Sequence, residues 1–253
     1  MPETITSSAN PLLKDVKRAI ARGGLTEDGW CVAETFHLLE EAIRSGCEVK
    51  VVLAAESVKP PAGVKVTVVP EVLLRSVAGT ESSPGVIALV QPPDWKLEQV
   101  FRGDSLVVVL DGLQDPGNVG TIIRSAEAFG ATGALLLKGT ASPYNSKTLR
   151  ASAGSLFRLP FLFGMDAAAA LAAVEENQVD LLAGVAGARP LSSIDLTRRC
   201  AIVIGNEARG VSDSLRSAAR EVSIPTVGVE SLNAAVAAGI LLFEARRQRG
   251  LKP

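Results

Sequence analysis

The chain has 253 residues, 47% hydrophobic and only 4% aromatic, with 26 basic against 27 acidic side chains. That length carries one large domain or two modest ones around an aliphatic core, and near-neutrality neither supports nor excludes a nucleic-acid partner. No apolar run reaches the ~20 residues of a membrane span, Met1–Thr4 has no signal-peptide character, and Cys31, Cys47 and Cys200 are scattered without CxxC spacing. A disulfide framework, a metal site and a membrane association are therefore not expected, and the expected setting is cytoplasmic.

Residues 4–22 read as a helix entered at Asn10-Pro11, with Leu12, Leu13, Val16, Ala19 and Ile20 beside Lys14, Lys17, Arg18 and Arg22. Such a basic face is either solvated or set against phosphates. Residues 22–25 form a turn, 30–33 a short strand, and 34–45 a helix ending at Gly46. This helix carries His37, the one histidine of the chain, whose ordinary role there is structural. Strands are expected at 49–53, 64–69 and 86–90, with a short helix at 71–77. Loops 57–63 and 79–85 are turn-rich, and Thr80-Glu81-Ser82-Ser83-Pro84 is polar enough to touch a partner. The alternation makes a small α/β domain over residues 1–93. Paired prolines in Gln91-Pro92-Pro93-Asp94-Trp95 resist helix and central strand alike, so a linker is expected at 94–103 and a second domain at 104–253.

The second domain opens on Leu106–Leu110, the continuous apolar run of a strand buried on both faces. The turn Asp111–Gly120 packs Asp, Pro, Gly and Asn together, and Gly and Asn permit close backbone approach and positive φ. Val119, Ile122, Ile123, Ala126 and Phe129 then recur at helical spacing, with Asn118 as the expected N-cap, Arg124 about two turns in and Gly130 as the stop. Further strands are expected at 134–137, 181–184, 201–204 and 222–225. Helices are expected at 146–154, 166–176 and from Ser231 to about Gln248. Of the second part's basic residues 13 are Arg and 4 Lys, a balance that suits phosphate recognition and plain ion pairs equally.

Several familiar sites are absent. No G-x-G-x-x-G follows a strand and no G-x-x-x-x-G-K-[ST] occurs. The second domain has no histidine, so neither a Ser-His-Asp arrangement nor a His-containing metal site can be assembled there. Three polar loops remain, each at the end of an apolar strand, where open α/β sheets hold their ligands. They are Asp111–Arg124, Ile204-Gly205-Asn206-Glu207-Ala208-Arg209-Gly210 and Ile224–Asn233. Any one alone could be an ordinary turn; together they gather Asn118, Arg124, Asn206, Glu207, Ser231 and Asn233.

In order and wording these loops resemble the three motifs of the SpoU/TrmH family of RNA 2′-O-ribose methyltransferases, within the SPOUT class, over about residues 104–248. Residues 5–90 resemble the ribosomal-protein-L30e-like substrate-binding domain that often precedes this catalytic domain. The resemblance implies a mostly parallel sheet with helices on both faces and a C-terminal trefoil knot, which general topology rules do not predict. It implies S-adenosylmethionine held near Ile204, Gly205, Asn206, Gly210, Ile224, Leu232 and Asn233. The implied catalytic set is Asn118, Arg124, Glu207, Ser231 and Asn233.

Within that set Arg124 acts as base or as a positioning and electrostatic group, and a guanidinium's persistent protonation favours the second role. Asn118 orients Arg124 or the ribose, while Glu207 fixes its turn by accepting backbone or Arg hydrogen bonds. Ser231 and Asn233 cap the last helix and touch cofactor or substrate. Arg124, Arg150, Lys14 and Arg18 are the candidate RNA contacts, with a surface ion pair as the alternative for Arg150. The last helix is apolar enough to pack a homodimer. The expected activity is methyl transfer to a ribose 2′-hydroxyl of structured RNA, 23S ribosomal RNA first and transfer RNA second. A catalytically silent RNA-binding or ribosome-assembly protein is the alternative.

Overall fold

The structure, a computed structural model, describes residues 3–59, 61–79 and 85–250; the polar loop at 80–84 lies outside the described residues. By their internal contacts the residues form two units, 1–94 together with 142–157, and 95–141 together with 158–253.

The first unit runs through β1 (Glu3–Thr4), α1 (Pro11–Arg22), β2 (Cys31–Ala33), α2 (Phe36–Arg44), β3 (Val49–Ala54), β4 (Val66–Val68), α3 (Glu71–Val77) and β5 (Val86–Val90). Its sheet has the order β1-β4-β3-β5-β2, with β5 antiparallel to both its neighbours and the other pairs parallel. The first helix is shorter than the 4–22 expected. Pro11 sits at its first position, Asn10 Oδ1 accepts from Leu12 N at 2.9 Å, and Glu3–Thr4 instead pair with Thr67–Val68. The helix stops at Gly23, which adopts the left-handed conformation. Its apolar stripe, Leu13, Val16 and Ala19, packs with Leu53, Val69 and Leu74 into an aliphatic core. His37 stands exposed on α2.

The second unit continues with α4 (Leu97–Val100), β6 (Leu106–Asp111), α5 (Pro116–Ala128) and β7 (Gly133–Leu137). The chain then makes its excursion through α6 (Ser146–Ser152), grouped with the first unit. It returns to β8 (Phe161–Met165), α7 (Ala167–Glu176), β9 (Asp180–Pro190), β10 (Cys200–Gly205), α8 (Asp213–Ala218), β11 (Arg220–Ser223) and α9 (Ala234–Gln248). The sheet order is β11-β9-β10-β6-β7-β8, parallel throughout. Alternate residues Val107, Val109, Leu135, Ala201 and Val203 share a cluster with α7 and α8. Val108, Leu136 and Ile202 are buried as well, and α5 and α9 pack on one another and against β7 and β10 respectively. Burial on both faces is why these strands are continuously apolar.

Strands of the second unit also differ from expectation, β11 covering Arg220–Ser223 where 222–225 was expected. β8 was not expected, because an edge strand interrupted by Gly164 at φ +83° and leaving Phe163 44% exposed carries no apolar periodicity. β9 runs six residues past Gly184, to Pro190; there it pairs with β11 alone, across a register shift at Glu221/Val222.

Candidate active site

Each of the three loops follows the carboxyl end of a parallel strand. The first leaves β6 at Asp111, and its helix begins earlier than expected. Asp115 is the N-cap, its Oδ1 accepting from Gly117 N at 2.6 Å, and Pro116 fills the first helical position. Proline's missing N–H costs nothing there, so Asn118 lies inside the first turn instead of capping it. The turn is braced by Thr140, whose hydroxyl donates to Leu110 O at 2.9 Å and accepts from Gly112 N at 3.0 Å.

The second loop is locked on itself. Asn206 and Gly210 exchange two backbone hydrogen bonds, each 2.9 Å, while Asn206 Oδ1 accepts from the amides of Ala208 and Arg209 at 3.0 and 3.1 Å. Asn206 Nδ2 donates to Gly112 O at 2.7 Å, joining this loop to the first. Asp111 Oδ2 accepts from Ser212 N at 2.7 Å from the other side. The loop folds back so closely that a Cβ on Gly205 would lie 2.2 Å from Gly210 C and Val211 N. Only glycine fits.

A side-chain relay then joins all three loops. Asn233 Oδ1 caps α9 by accepting from Ala235 N and Val236 N at 2.9 and 3.3 Å. Its Nδ2 donates to Asn118 Oδ1 at 3.1 Å, and Asn118 Nδ2 donates to Glu207 Oε1 at 3.1 Å. Glu207 also accepts from the amides of Gln114 and Asp115 at 3.3 and 3.4 Å. Desolvation pushes the Glu207 carboxyl up, but hydrogen bonds from Asn118, its own backbone, Gln114 and Asp115 outweigh it and hold the group below its ordinary value.

The catalytic and cofactor candidates on these loops all fall in the second unit, with differences in role. Arg124 is exposed on α5 with no partner among the described residues. Asn118 reaches Glu207 and Asn233, not Arg124; six residues apart on one helix, the two point ~120° away from each other. Glu207 takes backbone and Asn118 donors and no Arg. Ser231 is exposed and does not cap α9; Asn233 alone does. Every polar atom of the Asn206 side chain is spent on the loops. Ile204 is buried, Ile224 and Leu232 are half-buried, and Gly210 holds φ +70°.

The remaining candidates lie in the first unit. There Arg150 pairs at 3.2 Å with the buried Glu34, Arg18 pairs with Glu27, and Lys14 is exposed. Asp111 and Thr140 were not picked out by sequence. A lone Asp closing an apolar strand was the available signal for the first; nothing local marks the second.

The segment 225–232 fits a cofactor that is read by backbone. Among the described residues none of its amides donates to a backbone carbonyl, and its one internal bond is Thr226 Oγ1 to Val229 O at 2.9 Å. Its remaining donors and acceptors are therefore open to solvent or ligand, beside the half-buried Ile224 and Leu232.

A parallel α/β unit whose three carboxyl-end loops are bonded into one polar cluster is the framework of an RNA ribose methyltransferase that uses S-adenosylmethionine. The chain belongs to the SpoU rRNA methylase family, whose model matches residues 105–243. It is 31% identical over 249 residues to the 23S rRNA (guanosine(2553)-2′-O)-methyltransferase RlmP of Bacillus subtilis, covering 96% of this chain and 98% of that one. It is 35% identical over 230 residues to the 23S rRNA (guanosine-2′-O-)-methyltransferase RlmB of Xylella fastidiosa, covering 85% and 90%. Among solved structures it resembles the SpoU methyltransferase AviRb of Streptomyces viridochromogenes in complex with AdoMet. The TM-score is 0.86 at 29% identity, over 95% of this chain and 98% of that one.

Proposed function

We propose that the chain methylates a ribose 2′-hydroxyl of 23S ribosomal RNA, working in the cytoplasm as a homodimer. The joining of Asn118, Glu207 and Asn233 across three loops carries this reading. The likeness to two 23S ribosomal RNA enzymes through both units favours ribosomal over transfer RNA. Residues 1–93 then act as the RNA substrate-binding domain, with Lys14 and Arg18 among the contacts, and 104–253 as the methyltransferase domain, which adds Arg150 to them. The close return of loop 205–211 and the packing of α9 on α5 support a C-terminal trefoil knot.

S-adenosylmethionine, when bound, supplies an electrophilic methyl with a good leaving group. Ile204, Gly205, Gly210, Ile224 and Leu232 would hold it through backbone and apolar contacts, while Asn206 acts by shaping the loop. Arg124 offers an unpaired guanidinium that fixes a phosphate or stabilises the developing alkoxide at the 2′-oxygen. Asn118, held at both ends of its amide, presents a fixed edge to the ribose. Ser231, exposed at the mouth of the last loop, remains available to cofactor or substrate. Arg124→Ala is expected to abolish methyl transfer to 23S ribosomal RNA while calorimetry shows the affinity for S-adenosylmethionine almost unchanged. Loss of cofactor binding as well would move Arg124 out of this role.

A further inference from the structure

We infer that Arg189 and Arg209 are a pair of backbone-phosphate contacts that receive the RNA strand at the carboxyl edge of the sheet. Among the described residues of the second unit, only Arg102, Arg124, Arg189 and Arg209 have no hydrogen-bond or ion-pair partner for their basic side chains. At the amino ends of the strands Arg102, just ahead of β6, is also free and exposed, but the guanidiniums around it are engaged. Arg220 pairs with Asp180 at 2.9 Å, Arg199 donates to Phe101 O and Ser105 Oγ at 3.1 and 3.2 Å, and Arg249 donates to several backbone carbonyls, Asp104 O at 2.7 Å among them. Arg189 stands at the opposite end, near the close of β9, and Arg209 in the loop that follows the neighbouring β10.

Both are mounted on backbone that is already fixed. Arg189 lies opposite Val222 in the ladder with β11, where Ser223 Oγ also donates to Ala188 O at 2.7 Å. Arg209 donates its amide to Asn206 Oδ1 within the closed hairpin. Two carboxylates that could have neutralised Arg209, Asp111 and Glu207, are turned inward onto amides. An exposed guanidinium on a rigid mount keeps its charge for an outside anion and loses little freedom on binding it. With a net charge of −1 the chain has no general basic field to attract RNA, so recognition has to come from a few placed cations. Of the four cations that sequence singled out, Arg18 and Arg150 are engaged with carboxylates, while Lys14 and Arg124 are exposed.

This rests on the RNA-methylation reading, and the test separates the two. Binding of a 23S ribosomal RNA transcript is measured over a salt series for four proteins: wild type, Arg189→Gln with Arg209→Gln, the corresponding double Lys variant, and Arg216→Gln. Calorimetry with S-adenosylmethionine runs alongside. The double Gln variant is expected to flatten the dependence of log K on log salt by about 1.5, two contacts at ~0.7–0.9 each. The double Lys variant and Arg216→Gln should keep the wild-type slope, and cofactor affinity should not move. An unchanged slope in the double Gln variant, or a parallel loss of cofactor affinity, overturns the inference alone. Wild-type protein with no salt-dependent binding of the transcript overturns the substrate reading and this inference with it.

Discussion

At the scale of single residues, Gly205 is where one added methyl group does most damage. The atoms it would meet are backbone, 2.2 Å away, and cannot swing aside as a side-chain end could. Gly205→Ala is expected to cost at least the ~1–3 kcal/mol of ordinary overpacking and to weaken S-adenosylmethionine binding more than tenfold, read by thermal denaturation and calorimetry. Glu207 makes the same loops sensitive to acid. Its folded pKa is depressed below 4.5, so its contribution is complete above that value and is lost as pH falls through the lower folded value. Cofactor affinity should therefore decline in acid for wild type. Glu207→Gln, with one acceptor oxygen in place of two, should bind weakly already at neutral pH and lack the Glu207-dependent part of that decline. The three polar loops were legible in sequence because each crowds Gly, Asn or a carboxylate behind an apolar strand, whereas a methyl-transfer role for them came only from the family resemblance. Which donor meets which acceptor was not. Asn118 and Asn233 are 115 positions apart, and only the return of the chain brings their amides to 3.1 Å.

At the scale of elements, helix starts test how a cap and a site share one side chain. Asn233 holds α9 with its Oδ1 and Asn118 with its Nδ2. Asn233→Ala removes both, with a cap loss of ~1 kcal/mol, visible in chemical denaturation. Asn233→Asp keeps the cap but sets an oxygen against Asn118 Oδ1. It is expected to stay closer to wild type in stability than Ala does while losing methyl transfer as fully. Equal activity of the Asp variant and wild type would show that the relay has no part in the reaction. The buried strands β6, β7 and β10 were readable because burial on both faces leaves unbroken apolar runs. The start of α5 was not, since Asp115 and Asn118 are both good caps and Pro116 decides between them only if its place in the turn is known. The grouping of 142–157 with the first unit was equally hidden. It includes the pairing of Arg150 with Glu34, buried 116 positions upstream, which leaves no periodic mark in either segment.

At the scale of the whole molecule, α9 buries one face and leaves the other open. Ala235, Ala238, Leu241, Leu242 and Ala245 are buried, whereas Val236, Ile240 and Phe243, at i, i+4 and i+7, are 51%, 37% and 46% exposed. Val227 and Val229, on the loop leading into the helix, are exposed too. Phe243 makes a T-shaped contact with Phe129 at 5.8 Å. Isolated surface aliphatics need no explanation, but a stripe in helical register beside further exposed valines is the mark of a surface that another chain covers. A second copy meeting this stripe would also lie against the segment 225–232, so assembly and cofactor binding should be lost together. Ile240→Glu leaves the inward face of α9 untouched and is expected to fold with near-normal thermal stability. It should sediment at the single-chain mass of 26.3 kDa where wild type is expected at about twice that, with weaker S-adenosylmethionine binding. A wild-type protein that sediments as one chain would remove the dimer, and an Ile240→Glu monomer with full cofactor affinity would show that the crevice is complete within one chain.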